Sequence, residues 1–323
     1  MNDQTRDRLH KAINSEILIA PKMPKRIIMP FMLIAFVLLM TGQQLCQAQS
    51  NSSKFTVYVR CGLYGNELVK KVESSSDYGC YKLLGRYDID RQNKGIIDET
   101  LVKAGVNTLY PAKEATGLIS IDIENKVFQN VKDFDKGNPE FEKSIAALIK
   151  LVSVVKKERP NLSVGIYGIP YRFYYENQKA RNKDQKLDPL LKVVDYISPS
   201  LYIVYPDKEK GFDANNNYLK ENLKVALEYG KRLGKPVIPY VWYIVHPTNK
   251  KYGKELIGRK EMQSYLNIIR DYQYEGRRAE GVIWWEPGKS NYKLPKDMLE
   301  SKAKYLSKDE ILQQYIMSGF SPD

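Results

Sequence analysis

Apolar residues recur along this chain at two alternating periods. Phe55–Cys61 (FTVYVRC), rich in β-branched and aromatic residues, predicts a strand. Val106–Tyr110, Gly117–Ile123, Ser163–Tyr167, Tyr196–Tyr202, Pro236–Tyr243 and Gly281–Trp285 predict further strands. In Pro139–Glu158 the apolar positions, among them Phe141, Ile145, Leu148, Val152 and Val155, fall at helical spacing. Arg159-Pro160-Asn161 ends that helix. Leu187–Val194, Tyr218–Leu233 and Arg259–Tyr274 also read as helices, and Gly234 stands at a C-cap position. Strand and helix thus alternate. The strands are short apolar runs of the kind buried on both faces, which implies parallel βαβ units.

A separate apolar run, Ile27–Met40, follows Lys25 and Arg26 and precedes Cys46-Gln47-Ala48. Its 14 residues are short for a membrane span. Basic flank, apolar run and small residues form the layout of a secretory signal, with an uncleaved anchor as the other reading. Residues 1–48 are therefore a leader, and residues 49–323 a single domain. The expected localisation is exported: periplasmic or extracellular, or membrane-anchored through the leader. About 275 residues without a dinucleotide fingerprint favour an α/β fold of one kind: a single TIM-like (β/α) barrel, distorted, with seven or eight strands.

Composition narrows the chemistry. Hydrophobic residues make up 43% and charged residues 28%, which argues against disorder and against a polytopic membrane protein. Beyond the leader one His remains, His246, so a His-rich metal site cannot be built. There is no CxxC pair, no GxxxxGK[ST] and no GxGxxG. No metal or organic cofactor is expected. Cys61 and Cys80 are the cysteines beyond the leader; in an exported chain they pair or stay as buried thiols. The net charge is +13, and +10 without residues 1–48. Basic clusters occur, but no nucleic-acid motif does, and the charge suits a cleft that draws in an acidic polysaccharide.

The strand Gly117–Glu124 reads GLISIDIE. Ile119, Ile121 and Ile123 point one way, and Ser120, Asp122 and Glu124 the other. In a barrel the polar row faces the lumen, with Glu124 at the rim. Two carboxylates spaced this way lie roughly 6–7 Å apart along the strand, so ionising one raises the pKa of the other. A carboxyl held protonated near neutral pH is what a glycosidase uses on its leaving oxygen. Aromatic residues gather at the other strand ends, at Tyr171–Tyr175, Tyr202, Trp242-Tyr243 and Trp284-Trp285, where they can stack on sugar rings.

The ordered segments ISIDIE, VVKKERPNLSVGIYGIPYRFYYEN, DYISPSLYI, KPVIPYVWYIVHP and GVIWWEP resemble the hyaluronidase family, glycoside hydrolase family 56, over most of residues 117–290. The resemblance implies a distorted (β/α) barrel that cleaves β-linked N-acetylhexosaminides with retention. The substrate's own N-acetyl carbonyl would be the nucleophile. It further implies Glu124 as acid/base, Asp122 beside it, Tyr202 against the acetamido group and Trp284 as a pocket wall, with Tyr171 or Tyr174 as a further contact. The expected partner is a polysaccharide or glycosaminoglycan, acidic in kind. The chain departs from the family at Ile123, where the family has Trp, at Asn125-Lys126-Val127 and at Trp285-Glu286. Glu286 opens a rival reading, a two-carboxylate glycosidase pairing it with Glu124. A non-catalytic glycan-binding barrel is the third.

Overall fold

The computed structural model describes residues 54–289, 291–300, 304–320 and 322. The leader read at residues 1–48 lies outside the described residues. Six parallel strands form the sheet: β1 (Thr56–Val59), β2 (Tyr78–Gly85), β3 (Gly117–Asp122), β4 (Leu162–Ile166), β5 (Tyr240–Val241) and β8 (Gly281–Trp284), in the order β4-β3-β2-β1-β8-β5. A hairpin of β6 (Gln273–Tyr274) and β7 (Arg277–Arg278) stands apart. Helices lie between the strands, the longest at Pro139–Glu158 and Phe212–Leu233. The fold is TIM-like, but the ladder is not a full eight-stranded ring. The segment Tyr196–Tyr202, expected as a strand, joins its neighbours through single bridges instead: Tyr167 to Ser198, Ile197 to Val237, Ser200 to Tyr240. Pro199, Pro236 and Pro239 explain this, because a proline has no N–H to give a ladder.

The alternation of β3 separates two cores. Ile119 and Ile121 are fully buried in the outer core, between sheet and helices. Leu118 belongs to an inner cluster with Tyr81, Tyr167, Tyr196, Tyr202 and Tyr240. Tyrosine fills this interior because its ring packs while its hydroxyl finds a partner. The Tyr240 hydroxyl donates to Ser120 Oγ at 2.7 Å, and that of Tyr196 to the Ile119 carbonyl at 3.0 Å. Gly165 of β4 makes room for the Tyr196 ring: a Cβ there would stand 2.3 Å from it.

Three sequence expectations change. Val106–Tyr110 is the end of the helix Glu99–Leu109, not a strand. Asp98 caps that helix, its carboxylate accepting from the Thr100 and Leu101 amides, and Val102 and Val106 share its buried face four residues apart. The strand in this region is β2, whose Gly79 and Lys82 break the apolar run; Gly79 is small because the Tyr58 ring lies over it. The helix from Arg259 ends at Asp271, because Glu275 and Gly276 both take positive φ and turn Gln273–Tyr274 back on Arg277–Arg278. Cys61 and Cys80 form a disulfide, with Cα atoms 5.4 Å apart, which settles the open choice between a bond and two thiols.

Gly165→Ala is expected to lower stability by about 1–3 kcal/mol through overpacking against Tyr196. A shifted urea midpoint would show it; an unchanged midpoint would mean the Tyr196 ring has slack.

Candidate active site

The parallel strands bring their C-terminal ends to one side, and the two acids arrive there together. Asp122 ends β3 on the inward face. Glu124 follows between two anchored residues. Ile123 is 1% exposed in the outer core, and Asn125 is buried. The Asn125 side chain caps the helix Lys126–Asp133 by accepting from the Val127 and Phe128 amides, and donates to Asp90 at 2.9 Å. Glu124 therefore has little freedom of backbone and projects into a cleft of about 340 Å³.

Burial is the main cause of the electrostatics. It pushes the Asp122 carboxyl up to about 7, the Glu124 charge adds to that, and Arg60 opposes it. Burial also raises Glu124, against the pull of Arg172 and Lys132. The two carboxyls therefore titrate as a pair that keeps a proton towards neutral pH.

A second cluster faces the acids. Arg172 donates from Nη1 to Ser200 Oγ at 2.7 Å and from Nη2 to His246 Nε2 at 2.9 Å. Its guanidinium carbon stands 5.7 Å from the Tyr202 ring centre. Burial, then the Arg172 charge, lowers His246 to about 3, so its ring is neutral and Nε2 can accept. The Tyr202 ring stacks on His246 at 6.0 Å and packs against Trp242 at 5.3 Å. At the cleft mouth Tyr174, Tyr175 and Tyr205 form an aromatic group, with Lys132 and Arg181 in the same lining.

The residues singled out in the sequence fare differently. Asp122 and Glu124 meet at this strand end and Tyr174 lines the cleft, whereas Tyr202 is 4% exposed and stands behind the lining, its ring packed among Arg172, Trp242 and His246. Tyr171 touches the cleft but is 3% exposed, edge-on to Phe128, and its hydroxyl is spent on the Phe128 carbonyl at 3.0 Å. Trp284 does not reach the site. It is fully buried on the outward face of β8, 5.5 Å from Tyr243. Strand parity explains the shift by one: Ile283 and Trp285 belong to the inner side, and Trp285 packs 6.1 Å from Tyr240. The same parity turns Glu286 outward with Trp284. It is fully buried and accepts from the Tyr243 hydroxyl at 3.0 Å, so it does not face Glu124. The two-carboxylate reading loses its second carboxylate. Arg172, Ser200 and His246 were not singled out for the site, and no local signal marks them.

No family model and no curated protein matches the sequence. Solved structures do match the fold. Bee venom hyaluronidase gives a TM-score of 0.54 at 18% identity, over 72% of this chain and 91% of that one. Bee venom hyaluronidase in complex with a hyaluronic acid tetramer gives 0.56 at 17% identity, over 82% and 97%. The likeness is one of fold. It covers nearly all of the enzyme's length, so the TIM-like architecture of this chain is that of a known hydrolase scaffold. The acid pair and the cleft described above come from this chain's own residues.

Two measurements check the site. An ordinary aspartate ionises near 3.8. Between about pH 4 and 7 the folded chain therefore holds a proton that the unfolded chain has released, and stability falls as pH rises through that window. Asp122→Asn removes the penalty. It is expected to be more stable than wild type at pH 8, on the order of 1 kcal/mol, with the gap closing towards pH 4. A gap independent of pH in thermal melts would show a solvated carboxyl. Trp284→Ala is expected to cost about 3–5 kcal/mol of stability. Trp285→Ala, partly buried on the inner side, should cost less stability; the reverse order would overturn the parity assignment.

Proposed function

We propose that this chain is a glycoside hydrolase of the hyaluronidase type, cleaving β-N-acetylhexosaminide linkages of an acidic polysaccharide with retention. The observation that carries the reading is the Asp122–Glu124 pair, raised by burial, beside a cleft lined by tyrosines, Lys132, Arg172 and Arg181. In this reading Glu124 protonates the leaving glycosidic oxygen. The carbonyl oxygen of the substrate's N-acetyl group attacks the anomeric carbon from the other face, and the C–O bond to the leaving sugar breaks. Asp122 orients the acetamido group and carries charge as the ring of the intermediate forms. Water then opens that intermediate, with the Glu124 carboxylate taking its proton. Tyr174 at the cleft and Trp285, partly exposed on the inner side, supply apolar faces for the sugar.

The fold supports the reading, since hyaluronidase is built on it. The Cys61–Cys80 disulfide supports export, which belongs to the same proposal together with the leader's role as a signal or anchor. The alternative that keeps some support is a non-catalytic glycan-binding barrel, since Ile123 replaces the family's Trp between the acids.

Reducing-end release from hyaluronan, chondroitin and chitin oligomers tests it. The wild type is expected to cleave at least one polymer, with activity falling above about pH 7 as the pair loses its proton. Glu124→Gln is expected to lose about 10²–10⁴-fold in turnover while still binding. Equal turnover in Glu124→Gln, or no release from any polymer, sinks the enzymatic reading.

A further inference from the structure

The two acids share a proton, and the cations around them decide which carboxyl keeps it. Arg172 and Lys132 act on Glu124 and favour its ionised form. Left to them, the charge would settle on Glu124 and the proton on Asp122. That is the wrong way round for Glu124 to protonate a leaving oxygen. The groups that share a field with Asp122 are Arg60 just beyond β1, Tyr81 on β2, Glu124 itself, Tyr167, Tyr202 and Tyr240. Arg60 is the cation of this set, and it favours the charge on Asp122.

Strand parity and pairing explain how Arg60 comes to act there. Val57 and Val59 are buried in the outer core, whereas Tyr58 packs on the inner cluster. Arg60, partly buried, continues the inner row. Val59 pairs with Cys80, so Arg60 comes level with Tyr81, a buried member of the inner cluster. Arg60 and Asp122 both act on the Tyr81 hydroxyl, with opposite sign. On the other face, Cys61 and Cys80 pack against the outer core and form the disulfide, with Cα atoms 5.4 Å apart. The bond thus joins the residue after Arg60 to the residue before Tyr81. Beyond it the chain turns through Cys61–Leu63, and the Leu63 amide donates to the Arg60 carbonyl at 3.0 Å. An arginine at a free strand end would lose much rotamer and backbone freedom to stay near one carboxylate; here the crosslink has already fixed its backbone.

We propose that Arg60 is the positioning cation of the acid pair: seated on the inner side by the Cys61–Cys80 disulfide, it holds the negative charge on Asp122 and leaves the proton to Glu124. Its use in turnover rests on the glycosidase reading, but the placement of the charge can be measured without any glycan.

The test follows the Asp122 carboxyl carbon of the full chain by 13C NMR in a pH titration, the signal being assigned by its loss in Asp122→Asn. Arg60→Gln is expected to move the Asp122 midpoint up by about 0.5–1 pH unit, and Arg60→Lys to leave it near wild type. Cys61→Ser with Cys80→Ser is expected to move it the same way by a smaller step, and to add nothing in the Arg60→Gln background. On a polymer that the wild type cleaves, Arg60→Gln should lower kcat about 3–10-fold and carry the limbs of the pH profile upward, with Arg60→Lys restoring both. A residue that only supports the fold would lower the rate and leave the limbs in place. The proposal is overturned if Arg60→Gln leaves the Asp122 midpoint where it was, if Arg60→Lys moves it as far as Arg60→Gln does, or if loss of the disulfide leaves it unchanged. Should Arg60→Gln fail to fold, Arg60→Met, which keeps the apolar stem and drops the charge, takes its place. Hydrolysis by a chain whose Asp122 midpoint ignores Arg60 defeats this inference and leaves the glycosidase standing. An Arg60-dependent midpoint without hydrolysis of any polymer does the opposite.

Discussion

The position of the acid pair depends on the alternation of one strand. Ile119, Ile121 and Ile123 are buried in the outer core at 1% exposure or less. A slip of one residue would bring all three isoleucines inward and send Asp122 and Glu124 into the helix layer, where two carboxylates could not be hydrated. The hydrophobic face thus fixes the polar one. Asn125 adds a stop just beyond Glu124 by capping the next helix and bonding to Asp90.

With the acids placed, the interior decides their state. The lumen below them is closed by tyrosine rings in edge-to-face contact, such as Tyr81 with Tyr240 and Tyr167 with Tyr240. These rings exclude water while the Tyr167 and Tyr240 hydroxyls donate to Ser200 and Ser120, so the floor is dry but not apolar. A dry floor raises both carboxyls and neutralises His246. Neutral His246 can then hold Arg172. One physical cause, desolvation at the strand ends, therefore sets both the proton on the acid pair and the orientation of the cation opposite it.

The incomplete ladder has its own consequence. Prolines 199, 236 and 239 interrupt strand pairing where the segment Tyr196–Tyr202 meets its neighbours. Single bridges and side chains replace the ladder there, and Ser200, which carries Arg172, sits in that stretch. The irregular wall of the fold is thus where the cleft's polar partners are mounted, while the regular strand β3 carries the acids.

The sequence alone determined the helix Pro139–Glu158, the strand ending in the acid pair and the parallel α/β class, because each rests on local periodicity and on near-neighbour capping. Other features were decided only in three dimensions. Trp284 and Trp285 are adjacent and chemically alike; which one faces inward depends on the register of β8 against β1 and β5, a long-range pairing that no local pattern expresses. Val106–Tyr110 has the composition of a strand, yet Asp98 and the packing of Val102 and Val106 make it helix. The meeting of Arg172 with His246, 74 residues apart, exists only because the chain returns to the same end of the sheet. Periodicity assigns a residue to a face, and only the closing of the sheet says which faces meet.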